Sequence, residues 1–226
     1  MGLWFLQPGI SVTDVIMRVL AVLVIVLAVL PLHECAHGWV AEKLGDNTAK
    51  YSGRLTLNPL PHIDPIGALC ILLFGFGWAK PVPVNSRNFK NPKAGMAVTA
   101  LAGPVSNLLA AIVGGILLNL VLVIWGGALT GVLYWVYLFF SYYISINVGL
   151  AAFNLIPIPP LDGSKILAAF LPNKALYKFY QYQNIFAVVM LLLLWVGVLD
   201  VPLSFLQNVF FDAVVWVAKL PFLPFI

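Results

Sequence analysis

Residues 12–44 read VTDVIMRVLAVLVIVLAVLPLHECAHGWVAEKL. The first two-thirds of this stretch is an apolar run of about twenty residues, broken by Arg18, which is the length that crosses a hydrocarbon core as a helix. The helical pattern continues without a break through His33 and stops at Gly45-Asp46-Asn47, a C-cap and turn signal. Pro31 is expected to kink the helix just before the histidines. Such a helix is about 50 Å long at about 1.5 Å per residue, so it tilts or projects from the bilayer.

The whole chain fits a lipid environment. It has 226 residues, 62% hydrophobic and 9% charged, against roughly a quarter charged in soluble domains. A single membrane domain over 1–226 is expected, with its core at about 12–171 and C-terminal helices at about 184–226. Met1–Ser11 has no basic leader pattern. The first apolar run is therefore expected to stay as a span. Cys35 and Cys70 make no metal-ligand spacing and no disulfide framework.

Further spans are expected at 94–125, 131–156 and 184–199, with the first two joined by Gly126-Gly127. Residues 203–226 form either a fifth span or an interfacial helix. Residues 164–183 are polar to amphipathic. A strand-like run is expected around Arg54–Leu57. Residues 65–79 are apolar but interrupted by Pro65, Gly67, Gly75 and Gly77, and read as a re-entrant segment rather than a span. The fold class expected is therefore all-α integral membrane: a three-helix core, one or two C-terminal helices, and a short membrane-associated β-hairpin or re-entrant segment.

Ten of the twelve Lys and Arg lie in 43–93 or 165–178. If 65–79 is re-entrant, both regions share one side, which the positive-inside rule makes cytoplasmic. The net charge of +4 is then an inside-face bias that also suits anionic lipid, and no nucleic-acid partner is indicated.

His33-Glu34-Cys35-Ala36-His37 is H-E-x-x-H on this helix. Histidines four apart stand on one face, one turn above the other, so both can reach one Zn²⁺. Glu34 is about 100° round the helix and meets a metal-activated water instead of the metal. Ionisable residues at membrane depth are functional candidates by default, the alternative being a solvated helix end.

Zinc needs a third protein ligand. Asp46, His62, Asp64 and Asp162 are the candidates once the acids near the outer span ends are set aside. Asp162 has the most distinctive setting, Asn154-Leu-Ile-Pro157-Ile-Pro159-Pro160-Leu-Asp162-Gly163, where three prolines end the third span. The alternative for Asp162 is a helix N-cap. Gly103-Pro104-Val105-Ser106-Asn107 lies near the cytoplasmic start of the second span, where small residues let helices approach closely. Asn107 is read as a helix-to-helix amide or a substrate contact. Asn154 is read as an oxyanion donor or a structural amide.

On His33–His37, Gly103–Asn107 and Asn154–Gly163, in this order and rough spacing, the chain resembles the site-2 protease family of intramembrane metalloproteases, peptidase family M50. The resemblance implies one Zn²⁺ per chain on His33, His37 and Asp162, Glu34 as general base, and Asn154 polarising the scissile carbonyl. It implies that single-span membrane proteins are the substrates, cut within the bilayer as in regulated intramembrane proteolysis. The extended Trp78–Asn85 stretch resembles the family's membrane-associated β-hairpin, making Trp78, Lys80, Pro81 and Val82 candidates for pairing with an unwound substrate. No PDZ or CBS domain is seen. A prokaryotic plasma membrane, with the site toward the cytoplasm, is expected. The alternatives are a zinc-binding transporter or sensor, and a pseudoprotease that only holds membrane segments.

Overall fold

The computed structural model describes residues 9–74, 77–126 and 129–224. Met1–Pro8, Gly75 and Gly127, on which some sequence expectations fall, lie outside the described residues, as do residues 225 and 226.

Helix α1 spans Val12–Lys43. Its start is a reciprocal cap: Ser11 Oγ accepts from Asp14 N at 3.1 Å, and the Asp14 carboxylate accepts from Ser11 N at 3.2 Å. The helix passes through a π turn at Ile25–Val29, where Leu30 N bonds to Ile25 O. The turn falls just before Pro31, which has no N–H to give to the preceding turn. The perturbation anticipated at the proline thus takes the form of a wider turn ahead of it. Gly45, at φ +107°, ends the helix in a conformation that glycine adopts freely.

Short helices follow at Thr48–Tyr51 (α2) and Pro65–Phe74 (α3). Asp64 Oδ1 caps α3 through Ile66 N and Gly67 N. The ten residues of α3 are too few to cross a bilayer. Its first turn touches the returning chain so closely that a Cβ on Gly67 would overlap the Trp78 carbonyl. The in-and-back path read for 65–79 fits this contact.

The hairpin expected at Trp78–Asn85 is corrected: there is no strand among the described residues. Pro81 and Pro83 supply no N–H. Three of the other donors are spent elsewhere: Lys80 N on His62 O at 2.8 Å, Val82 N on Glu34 Oε2 at 2.8 Å, and Asn85 N on Asp46 Oδ2 at 2.7 Å. The strand-like run at Arg54–Leu57 is likewise irregular, with Arg54 Nη2 donating to Lys80 O at 2.7 Å. This stretch is therefore a strap clamped by side chains and loops.

Helix α4 spans Pro92–Ile124, with Asn91 as N-cap and Pro92 in the first turn. Helix α5 spans Val132–Asn154, and α6 spans Asp162–Phe170. Helices α7 (Asn173–Gln181) and α8 (Gln183–Val196) meet at a 68° bend. Helix α9 spans Asp200–Lys219.

Among the described residues, four segments are long and apolar enough to cross a membrane: α1, α4, α5, and α9 with its short extension to Phe222. The span expected at 184–199 is corrected in part. Helix α8 has only 14 residues and reaches span length only together with α7 through the bend. The protein is a multi-pass membrane protein, built mainly on α1, α4 and α5. Val26, Leu30, Ala110, Ile146 and Leu150 form the inner core where these three helices meet. At the far end, Tyr142 Oη of α5 donates to Asp14 Oδ1 of α1 at 2.9 Å. Helix α9 packs against α4 and α5 through Val214, beside Ala111, Ile144 and Val148.

Candidate metal centre and its surroundings

Four residues apart on α1, His33 and His37 turn their Nε2 atoms to within 3.1 Å of each other. The prolines and turns after α5 bring Asp162 to the same point. Its Oδ2 lies 3.3 Å from His33 Nε2 and 3.1 Å from His37 Nε2. All three residues are buried. Leu161 takes the N-cap position of α6 and gives no side-chain cap, while Asp162 follows it as the first helical residue. The Asp162 carboxyl faces the histidines, so of the two sequence readings the N-cap is not realised.

The opposite edges of the rings fix their protons. His37 Nδ1 donates to the Thr99 carbonyl at 2.7 Å, and His33 Nδ1 to Asn107 Oδ1 at 3.1 Å. The Nε2 atoms are then lone-pair donors facing a carboxylate, an arrangement that is favourable only with a proton or a cation between them. A tetrahedral zinc with bonds of about 2.0 Å sets its ligand atoms about 3.3 Å apart. The observed triangle of 3.1, 3.1 and 3.3 Å matches one face of that tetrahedron. His33, His37 and Asp162 are also the group of potential ligand side chains found close enough together among the described residues to hold a metal ion.

Lys165 donates to the second carboxylate oxygen, Oδ1, at 2.9 Å. Burial disfavours charge on Asp162, but hydrogen bonds from the imidazoles when they carry a proton at Nε2, together with the nearby Lys165 charge, outweigh it and hold the carboxyl well below the usual range. The ionised form is the one a metal ligand requires. Gly103 of α4 packs directly onto the pair of histidines, since a Cβ there would collide with both Nε2 atoms. Gly163 has the same role behind Asp162, where a Cβ would meet Leu155 O.

Glu34 is buried beside this centre, its Oε2 held by Val82 N. Both line a cavity of about 480 Å³ that also exposes His33, His37 and Asp162. Trp78, Pro81 and Asn154 line it as well, whereas Lys80 is held to one side through its backbone. Asn154 Nδ2 donates to Leu150 O at 3.0 Å, one turn back on its own helix. Asn107 is fully buried behind His33, outside the cavity lining.

The reserve candidates lie elsewhere. His62 is buried against Thr56 O at 2.8 Å, and Asp64 caps α3. Asp46 receives Thr48, Asn85 and Asn88. Sequence reasoning missed the Thr99 carbonyl, because a backbone acceptor leaves no mark on residue identity. It also missed Lys165, whose place three residues after Asp162 on a helix was the available signal.

Residues 121–197 match the model of peptidase family M50. “Putative zinc metalloprotease YwhC” of Bacillus subtilis is 44% identical over 162 residues, covering 72% of this chain and 74% of that protein. “Putative zinc metalloprotease Rip2” of Mycolicibacterium smegmatis is 29% identical, covering 71% of this chain and 62% of the relative. “Putative zinc metalloprotease MJ0611” of Methanocaldococcus jannaschii is 34% identical, covering 60% of this chain and 62% of the relative. No solved structure matches the chain at a significant level. The chain belongs to peptidase family M50, and its cofactor is Zn²⁺.

Proposed function

We propose that the protein is an intramembrane zinc endopeptidase that hydrolyses peptide bonds in the membrane-spanning segments of single-span proteins. The observation that carries this reading is the buried His33–His37–Asp162 triangle with a further carboxylate, Glu34, on the wall of the same cavity. A purely structural zinc site has its coordination closed by protein and needs no carboxylate beside it.

Zn²⁺ bound by His33, His37 and Asp162 supplies a Lewis acid that acidifies water and polarises a carbonyl. The chain's own groups do the rest. Glu34 takes the proton of the attacking water and later gives it to the leaving amine. Asn154, at the cavity wall, turns its amide from Leu150 O to the carbonyl oxygen of the scissile bond. Asn107 and Thr99 hold the two imidazoles in the tautomer that leaves Nε2 free. The strap at Trp78–Val82 covers the cavity and contacts an unwound substrate segment through Trp78, Pro81 and Val82.

Charge supports a cytoplasmic placement of this end. The basic residues from Lys43 to Lys93 and from Lys165 to Lys178 flank the segments that carry the site. Purified protein in liposomes with a panel of single-span peptides tests the proposal. Site-specific cleavage by the wild type and none by Glu34→Gln, with zinc retained in both, is expected. Equal cleavage by both variants overturns it. Zinc retention with no cleavage of any cellular membrane protein would favour a holding role instead.

A further inference from the structure

Helix α9 carries a polar row on the side where lipid should be. Ser204, Asn208 and Asp212 follow one another at four-residue intervals, and all three are exposed. Asp212 comes nine residues after Leu203, which at about 100° per residue places it roughly 180° round the helix. Leu203 is buried in the core with Phe153 and Leu161, so Asp212 points straight out of the bundle.

Its depth follows from what α9 packs against. Leu203 lies beside Phe153 and Leu161, near the metal centre. Val214 lies beside Ala111, Ile144 and Val148, midway along α4 and α5. The Ala218 carbonyl accepts from Asn119 Nδ2 at 3.2 Å, close to the far end of α4. Asp212, which sequence grouped with the acids near the outer span ends, is therefore near the middle of the span instead. Phe205, Val209 and Trp216 beside it are exposed apolar residues, the ordinary covering of a lipid face.

Ser204 Oγ donates to its own helix at Val201 O, at 3.0 Å. Among the described residues neither the Asn208 amide nor the Asp212 carboxyl has a side-chain partner. Facing hydrocarbon, these groups give up water for nothing.

We propose that this row is the surface through which two copies of the chain associate in the bilayer. Both copies insert in the same direction, so a two-fold axis along the membrane normal sets each α9 parallel to its twin. Groups at equal depth, or one turn apart, then face one another. The Asn208 amide both donates and accepts, so it pairs with its counterpart or with Ser204 of the second copy. Asp212 accepts from the second Asn208 one turn away. The two Asp212 carboxyls also approach one another, and a proton shared between them avoids two like charges at membrane depth, so the row needs no foreign side chain. Small and polar residues of this kind join transmembrane helices. A partner with one basic residue would answer Asp212 alone and leave Asn208 without a role.

The test uses the full chain in phosphatidylethanolamine–phosphatidylglycerol vesicles over a wide range of protein-to-lipid ratios. In a background of Cys35→Ala and Cys70→Ala, Ser204→Cys should cross-link into dimers on mild oxidation. Val189→Cys, on the exposed face of α8, should not. Energy transfer between labelled copies should show association of the wild type that weakens at least tenfold in Asn208→Leu and Asp212→Leu and is kept in Asp212→Asn. Leucine on a lipid face leaves insertion intact, so misfolding does not account for such a loss. A wild type that stays monomeric throughout, cross-linking through Val189→Cys instead, or leucine variants that associate as well as wild type would each overturn the proposal.

Discussion

Asn107 grips His33 across 74 residues of sequence, its Oδ1 accepting the Nδ1 proton at 3.1 Å. The bond joins α4 to α1 and presents the opposite ring nitrogen to the metal. Asn107→Leu should keep the fold while lowering zinc affinity about 10–100-fold, the usual effect of removing such a supporting partner. Asn107→Asp, which keeps an acceptor, should lose less. Competition against a chelator of known affinity measures both.

Gly103 is required by contact with the histidines. Gly103→Ala would drive a methyl group into both imidazoles, so zinc per chain should fall to near background and hydrolysis with it. Gly149→Ala serves as the comparison, because a Cβ there would sit 3.6 Å from Gln207 Nε2, an ordinary contact. Elemental zinc measured beside thermal unfolding distinguishes site damage from loss of fold.

In the proposed mechanism Glu34 uses its charge for proton transfer and not for holding metal. Glu34→Gln should retain one zinc per chain and keep the Val82 N–H bond through its amide oxygen. Turnover should drop about 10²–10⁴-fold, the range for a lost general base. Zinc stoichiometry and single-turnover cleavage of a spanning peptide are the measurements.

Asp46 anchors the strap, accepting from Asn85 N and Asn88 Nδ2, each at 2.7 Å, and from Thr48. Burial pushes its carboxyl up, but the bonds from Thr48, Asn85 and Asn88 outweigh this and leave it below the ordinary value. A carboxyl lowered on folding adds stability that is fully present above its unfolded pKa of about 3.9. That stability disappears as pH falls through the lower folded value. Asp46→Asn should cost about 1–3 kcal/mol at neutral pH. Its deficit relative to wild type should shrink below about pH 4, as read from unfolding temperatures in detergent.

Much of this protein is legible as sequence because its signals are periodic or local. The apolar run before His33 and the four-residue histidine spacing are both helix geometry, and α1 realises them together. Asp162 stood out through its prolines, although sequence left N-cap and ligand both open. The strap shows where such reading stops. The resemblance of Trp78–Asn85 to a membrane-associated hairpin suggested pairing, yet two prolines supply no N–H, and His62, Glu34 and Asp46 draw off the donors of Lys80, Val82 and Asn85. Likewise α8 looked like a span by composition, and only its bend against α7 shows how short it is.

The sequence by itself determined a membrane-embedded helical chain with a zinc-type H-E-x-x-H helix, because hydropathy and helical period depend on nothing beyond neighbouring residues. The tertiary structure alone decided which carboxylate completes the triangle, that Thr99 and Asn107 set the imidazole tautomers, that Lys165 occupies the far oxygen of Asp162, and that Asp212 looks outward. Each of these is a meeting of groups from different helices or turns, and its direction is set by how those elements pack.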